Sequence, residues 1–317
     1  MEATTMLDPH QLNVFLTAAE TLSFTKAAEK LHMSQPSVSQ HIQSLEARLG
    51  CSLFLRGTRK LTLTDAGTYL VPMAQRLVSN ARAVEEEMAA FMGKVIGHLI
   101  VGCSTTPGKY LLPHLLTAFH HQYPLVSVTC QVTSQLNAIE LLCNGETHFA
   151  LTSANVRECP TAEMHYFTSD PVVLIAPADH PFSQAGCISP EVLYEGRFIM
   201  RENTSGTYRA CAKKLHLAGV NIEALPTILT LGNSEAIALA VAQGLGVGFV
   251  SHIVVEQLKV DNVRIVSIEG LEICRDIYIA RAPKYSPTRV QQAFWEFITQ
   301  LPTPFMPTHC TSTPAQH

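Results

Sequence analysis

Three short amphipathic stretches succeed one another within the first fifty residues, each opened by a helix-capping residue and the last closed by a glycine. Asp8, with Pro9 behind it, precedes a run in which Leu12, Phe15, Leu16 and Ala19 share one face, which predicts a helix over roughly 9–20. Ser23 caps a second stretch in which Ala27, Ala28 and Leu31 turn inward, ending near His32, and its small alanines let another helix approach closely. Ser34 caps a third, where Pro36 is tolerated in the first turn and Val38, Ile42, Leu45 and Leu49 form an inner stripe up to Gly50. The succession predicts a compact tri-helical unit.

The third helix turns Ser34, Gln35, Ser37, Ser39, Gln40 and His41 outward, short hydrogen-bonding side chains of the kind that read base edges in a major groove. Gln suits bidentate contact with adenine, so Gln35 and Gln40 are the specificity candidates; Ser and the helix N-terminus suit phosphate oxygens. After Gly50, Leu53-Phe54 and Leu61 with Leu63 flank Arg56-Gly57-Thr58-Arg59-Lys60, which reads as a two-stranded hairpin with a basic tip, a wing. Over residues 1–97 nine Lys and Arg oppose nine Asp and Glu, so charge balance alone does not nominate nucleic acid. The local cluster of Arg56, Arg59 and Lys60 does, because it would grip backbone phosphates beside the groove.

Thr64-Asp65 caps a long helix in which Leu70, Leu77, Val84 and Phe91 recur every seven residues, with Ala74, Ala81 and Met88 four positions after the first three. That seam predicts pairing with a second copy of the chain. Beyond Gly93 and Gly97, apolar β-type runs alternate with helical patterns: His98-Cys103, Leu125-Val132, His148-Leu151, Val172-Ala176, Phe198-Met200, Ile228-Leu231, Val247-Val250 and Ile277-Ala280. Such alternation predicts a doubly wound α/β domain.

The segments Phe24-Thr25-Lys26-Ala27-Ala28-Glu29-Lys30-Leu31, Ser34-Gln35-Pro36-Ser37-Val38-Ser39, Leu45-Glu46-x-x-Leu49-Gly50, Leu53-Phe54-x-Arg56 and Leu63-Thr64-x-Ala66-Gly67 resemble the signature of LysR-type transcriptional regulators. The resemblance implies an α/β chain with an all-α winged helix-turn-helix at its N-terminus and a periplasmic-binding-protein-like effector domain of two doubly wound lobes. It also implies a homotetramer assembled from homodimers, double-stranded promoter DNA as partner, RNA polymerase as a further one, and no cofactor. Carried over by position, Gln35, Pro36 and Ser39 read the groove and Arg56 holds the backbone near the wing. The expected divisions are a DNA-binding domain over 1–64, a dimerisation helix over 65–93, an effector domain over 94–302 and a disordered tail over 303–317. Within the effector domain, lobe I takes about 98–168 and 272–302, and lobe II about 169–271.

Candidate effector-binding segments each follow a strand and precede a helix, where free amides and the positive helix end favour an anion. The first is Ser104, Thr105 and Thr106; the second is Arg201-Glu202-Asn203-Thr204-Ser205-Gly206-Thr207, which joins a cation, hydroxyls and a glycine that admits close backbone approach. Ser134 with Gln135, and Asn233 with Ser234, open two further helices, where capping is the leading role and ligand contact the other. The Ser-Gly-Thr segment and Asn233-Ser234-Glu235-Ala236-Ile237 are similar to members controlling carbon fixation or sulfur assimilation, which points to a small anionic metabolite.

Other classes fare worse. Nine cysteines are scattered without a Cys-x-x-Cys pair, so neither a disulfide framework nor a zinc site is expected. His114, His120 and His121 fall on an amphipathic surface helix with no matched acidic or thiol set. No apolar run spans a bilayer and the N-terminus lacks a secretory pattern, so a cytoplasmic protein with no membrane partner is expected. No nucleophile elbow, phosphate loop or zinc-protease helix is present, so no enzyme is expected. The alternatives are a solute-binding protein, and a redox-sensing regulator in which a helix start lowers the pKa of Cys103.

Overall fold

A computed structural model of the 317-residue chain describes residues 6–56, 61–92, 94–153, 159, 161–282 and 287–302. It divides into two compact units, residues 1–94 and 95–317. The expected disordered tail over 303–317 lies outside the described residues.

In the first unit, helix α1 (Pro9–Thr21) is capped by Asp8, whose side chain accepts from the His10 amide. Ser23 caps α2 (Phe24–Leu31) through the Lys26 amide, and Ser34 caps α3 (Gln35–Leu49) through the Ser37 amide. Gly50 ends α3 at φ +69°, a left-handed conformation that glycine adopts without strain. Strands β1 (Phe54–Arg56) and β2 (Leu61–Leu63) pair antiparallel, with Phe54 opposite Leu63 and Arg56 opposite Leu61.

The start of the hairpin is held to α3 by the Glu46 carboxylate, whose Oε1 accepts from the amides of Leu53 at 2.8 Å and Phe54 at 3.3 Å. The long helix α4 (Asp65–Phe91) is held to the same turn: the Thr64 hydroxyl donates to Ser52 O, and a Cβ on Gly67 would overlap the carbonyl oxygen of Leu53. Leu12, Phe15, Val38, Ile42 and Leu45 form the core with Leu53 and Phe54 of the hairpin.

The heptad seam of α4 divides in two. Leu70 and Ala74 join Val78, eight residues after Leu70, in the unit's own core. Leu77, Val84, Met88 and Phe91 stay exposed, Phe91 at 88%. An i, i+4, i+8 stripe therefore serves the fold of one chain, and only the later part of the seam is available to another.

Among the described residues the second unit holds a ten-stranded sheet with helices packed on it. On one side lie β3 (Gly97–Ser104), β4 (Val126–Thr133) and β5 (Phe149–Thr152), parallel to each other, with the short α5 (Thr105–Tyr110), α6 (Leu112–Gln122) and α7 (Gln135–Asn144) between them. The 15-residue β6 (Glu163–Pro177) leads away from these strands. There follow α8 (Pro181–Ala185), β7 (Cys187–Ile188), β8 (Phe198–Arg201), α9 (Gly206–Leu217), β9 (Thr227–Leu231), α10 (Ser234–Ala242), β10 (Val247–Ser251), α11 (His252–Leu258) and β11 (Val263–Ile268). Strand β12 (Ile273–Arg281) then returns antiparallel to both β6 and β5, and α12 (Arg289–Gln300) closes the described chain.

Each lobe is covered on both faces. In lobe I, Phe119 of α6 and Phe294 of α12 pack on one side of the sheet, while Ile139 and Leu142 of α7 pack on the other. In lobe II, Cys211 and Leu215 of α9 take one side and Ile237 and Val241 of α10 the other. Two strands pass between lobes: Phe167 of β6 lies in a lobe I core and Val172 in a lobe II core, while Ile273 and Ile277 of β12 make the same change in reverse. All eight strands expected from sequence are present; β7, β11 and the first half of β6 were not expected. β11 shows one buried side only through Val266 and Ile268, and the start of β6 is Glu-Met-His-Tyr, so neither carries a continuous apolar run.

Candidate functional site

On α3 the side chains of Gln35, Pro36 and Gln40 are exposed, as is Ser34, and those of Ser37 and Ser39 are half-buried. Val38 and Ile42 are fully buried behind them, which fixes the helix with this polar side outward. The Ser34 hydroxyl oxygen is engaged as the cap of α3, and His41 is half-buried with its ring edge-on to His10 at 5.1 Å between centroids. Arg56 ends β1, while its side chain and the whole of Arg59 and Lys60 lie outside the described residues.

In the second unit a polar cavity of about 150 Å³ is lined by Ser104, Thr105 and Thr106 at the end of β3, by Thr133, Ser134 and Gln135, and by Arg201, Glu202, Thr204, Ser205, Gly206, Gly232 and Arg275. Three segments distant in sequence meet here because each leaves the end of a parallel strand of its lobe and turns into a helix. Two expected residues do not line the cavity. Thr207 is buried with its hydroxyl accepting from Arg275 Nη1 at 3.2 Å, and Ser234 is buried with its hydroxyl 3.4 Å from Arg201 Nη1, so both hold guanidinium groups from behind. The expected helix end after Ser104 is also weaker than assumed, since α5 has six residues and Ser104 makes no side-chain cap.

The helix α9 supplies what α5 does not. The Ser205 hydroxyl caps the Tyr208 amide at 3.0 Å, leaving the amides of Gly206 and Thr207 without a partner inside the helix. Ser134 and Asn233 likewise act as caps, toward the amides of Asn137 and Ala236. Gly206 is closely approached: a Cβ there would overlap Ser153 Oγ and lie 3.1 Å from Gln135 Oε1, so those side chains would have to move.

Arg275, absent from the sequence expectation, is 7% exposed on the inward side of β12 between Ile273 and Ile277. A cation in the apolar register of a strand is the signal that could have found it. Its Nε donates to Asp170 Oδ2 at 2.6 Å, and Ser251 Oγ donates to the other oxygen at 2.6 Å. Arg201, 8% exposed, meets the carboxylate of its neighbour Glu202 through Nε at 2.8 Å and Nη2 at 2.7 Å.

Two bridges tie the lobes together. Gln135 Nε2 donates to Thr204 O at 2.8 Å, and its Oε1 accepts from Ser153 Oγ at 2.9 Å. Glu235 of α10 accepts from Lys109 Nζ at 2.9 Å and from the Tyr110 hydroxyl at 3.2 Å. Burial pushes the Glu235 carboxyl up, but the Lys109, backbone and Tyr110 donors outweigh it and hold the group below the usual carboxylate range.

Cys103 belongs to the lobe I core, with its Sγ directed at Gln131 O at 3.7 Å. Burial, with a smaller contribution from Cys130, pushes the thiol up to about 12, the reverse of the lowering expected at a helix start. This removes the basis for a redox role of Cys103. Among the described residues no cluster of His, Cys, Asp or Glu could hold a metal ion, and no helix is long and apolar enough to cross a membrane.

Residues 9–68 match the family described as bacterial regulatory helix-turn-helix protein, lysR family, and residues 93–302 match the LysR substrate binding domain. A probable RuBisCO transcriptional regulator of Guillardia theta is 33% identical over 303 residues, 93% of this chain and 96% of that protein. The full-length regulator CbnR complexed with its target DNA aligns with a TM-score of 0.67 at 23% identity, covering 92% of this chain and 99% of that one. The regulatory domain of Synechocystis PCC6803 CcmR in complex with 2-PG aligns with a TM-score of 0.57 at 29% identity, covering 63% of this chain and 95% of that one. The match over 9–68 overturns the alternative of a solute-binding protein, which has no helix-turn-helix.

Proposed function

The chain belongs to the LysR family of transcriptional regulators, and from that premise we propose that it controls promoters of carbon metabolism in response to a small anion bound between the two lobes. The observation that carries the effector half of this reading is the convergence of Ser104–Thr106, Ser134–Gln135 and Arg201–Gly206 on one cavity. Hydroxyls, the unpartnered amides at the start of α9 and the Arg201 guanidinium suit carboxylate or phosphoryl oxygens. The names of the relatives, and the 2-PG held by the CcmR regulatory domain, lean the same way.

The DNA half rests on α3. Gln35, Pro36, Ser39 and Gln40 enter the major groove, Ser34 and Ser37 lie beside the phosphates at the helix start, and Arg56, Arg59 and Lys60 grip the backbone. The exposed Leu77, Val84, Met88 and Phe91 of α4 meet the same helix of a second copy, giving a homodimer that assembles further to a homotetramer. RNA polymerase is the partner through which a bound regulator acts, and the cytoplasm is where it does so. Coupling between effector and DNA is of the order of 1–3 kcal/mol, enough to change promoter occupancy severalfold.

The experiment is a footprint of the full-length protein on promoter fragments of its own genome, titrated with salt and repeated with 2-PG. A discrete protected site whose affinity falls steeply with salt and whose extent or occupancy changes with 2-PG is expected. Absence of salt-sensitive binding to every fragment would overturn the reading.

A further inference from the structure

We propose that Glu202 sets the affinity of the cleft as an internal competitor: its carboxylate occupies the Arg201 guanidinium in the place an anionic effector must take. The inference rests on the cleft being the effector site. The geometry is fork on fork, with Nε and Nη2 of Arg201 meeting the two carboxylate oxygens at 2.8 and 2.7 Å. The third nitrogen, Nη1, is directed at Ser234 Oγ, 3.4 Å away. Arg275 is no substitute, because Asp170 and Thr207 hold it. Both guanidinium groups at the cavity are thus compensated, and the carboxylate next to Arg201 is the one that can leave. Asp170 is 7% exposed behind its partner, whereas the Glu202 side chain is 37% exposed and rehydrates by a side-chain rotation alone.

A competitor built into the chain has a definite signature. If Arg201 is released only a fraction of the time, the apparent dissociation constant of every anion that needs it rises by the reciprocal of that fraction. The factor is the same for a strong ligand and a weak one. It raises the threshold concentration without altering the order of preference, so ligands of marginal affinity fall below it. A plain field effect of the Glu202 charge behaves differently, since it grows with the charge of the ligand.

Two variants of the full-length protein separate these. Glu202→Gln removes the charge, while Glu202→Asp keeps it and shortens the side chain by one methylene, so the present two-point contact with Arg201 cannot keep its geometry. Affinities for inorganic phosphate, acetate and 2-PG are measured by thermal-shift titration. Glu202→Asp, which keeps the charge, is expected to tighten all three probes by one common factor of about fivefold, equivalent to about 1 kcal/mol, and Glu202→Gln by at least that factor. Tightening in Glu202→Gln alone, or a factor in Glu202→Asp that rises from acetate to phosphate, would overturn the competitor in favour of a field effect. Unchanged affinities in both variants would overturn it in favour of a purely structural pair. Arg201→Lys separates the inference from its premise: if 2-PG affinity is as high as in the parent, or if the parent binds none of the probes, the effector-site reading falls and takes the competitor with it. If Arg201→Lys weakens 2-PG while both Glu202 variants are silent, the competitor alone falls.

Discussion

Arg275 and Asp170 are register partners on β12 and β6, the two strands that pass between the lobes, and their side chains meet at 2.6 Å where those strands change from one core to the other. Arg275 lines the cavity, and the pair stands where the strands change lobes. Asp170→Asn leaves a buried guanidinium without its counter-charge and is expected to destabilise the second unit by about 3–5 kcal/mol in urea unfolding. Replacing both residues with apolar ones of similar volume is expected to restore most of that stability. Full stability in the single variant would show that the pair is not what holds the junction.

Gly206→Ala tests the close approach of the lobe II loop to lobe I. Its methyl overlaps Ser153 Oγ and crowds Gln135 Oε1, so the Gln135 to Thr204 bridge opens. Overpacking of this kind costs about 1–3 kcal/mol, and effector affinity is expected to fall by about tenfold or more. Combining it with Ser153→Gly removes the overlapping hydroxyl and recovers part of the loss. Calorimetry finding parental affinity in Gly206→Ala would refute the role of the bridge.

On DNA, Gln35→Ala is expected to relax preference at one adenine of the operator, at a discrimination of about 1–3 kcal/mol. Arg56→Ala weakens operator and unrelated DNA alike and lowers the salt slope by about one. Competition binding against a set of single-base operator variants, at three salt concentrations, distinguishes the two; identical profiles would contradict the assigned roles.

The imidazole of His148 accepts a hydrogen bond from the Ile100 amide through Nδ1 at 3.1 Å, and burial, helped by His98, pushes its pKa down to about 4. The unfolded chain therefore takes up the proton first as pH falls. The contribution is complete above about pH 6.5 and is lost progressively down to about pH 4, amounting to up to about 3 kcal/mol. Chemical unfolding at pH 7, 5.5 and 4.5 should show that decline, with a flatter profile for His148→Gln.

Much of this was legible because it is written in short-range chemistry. The caps Asp8, Ser23 and Ser34 accept from amides two or three residues on, as a sequence pattern can anticipate. The polar face of α3 follows from a helical period alone, and so do the eight strand positions from their apolar runs. The three cavity-lining segments each follow a strand, a position that the apolar runs mark. Their meeting at one cavity could not be read, since Thr106, Gln135 and Arg201 are separated by dozens of residues and joined only by strand order.

The amino-acid sequence by itself determined the helices, their caps, the polar outer side of α3 and the family, because each depends on residues within a few turns of one another. Only the tertiary structure decided that Arg275 enters the cleft, that Thr207 and Ser234 stand behind it, that Cys103 faces a core, and that Leu70 and Ala74 serve their own domain. Those outcomes depend on which side of a strand or helix is covered by elements far away in the chain. The compensation of Arg201 by its own neighbour belongs to the same class: the two residues are adjacent in sequence, but burial by the surrounding loops turns their proximity into a closed ion pair.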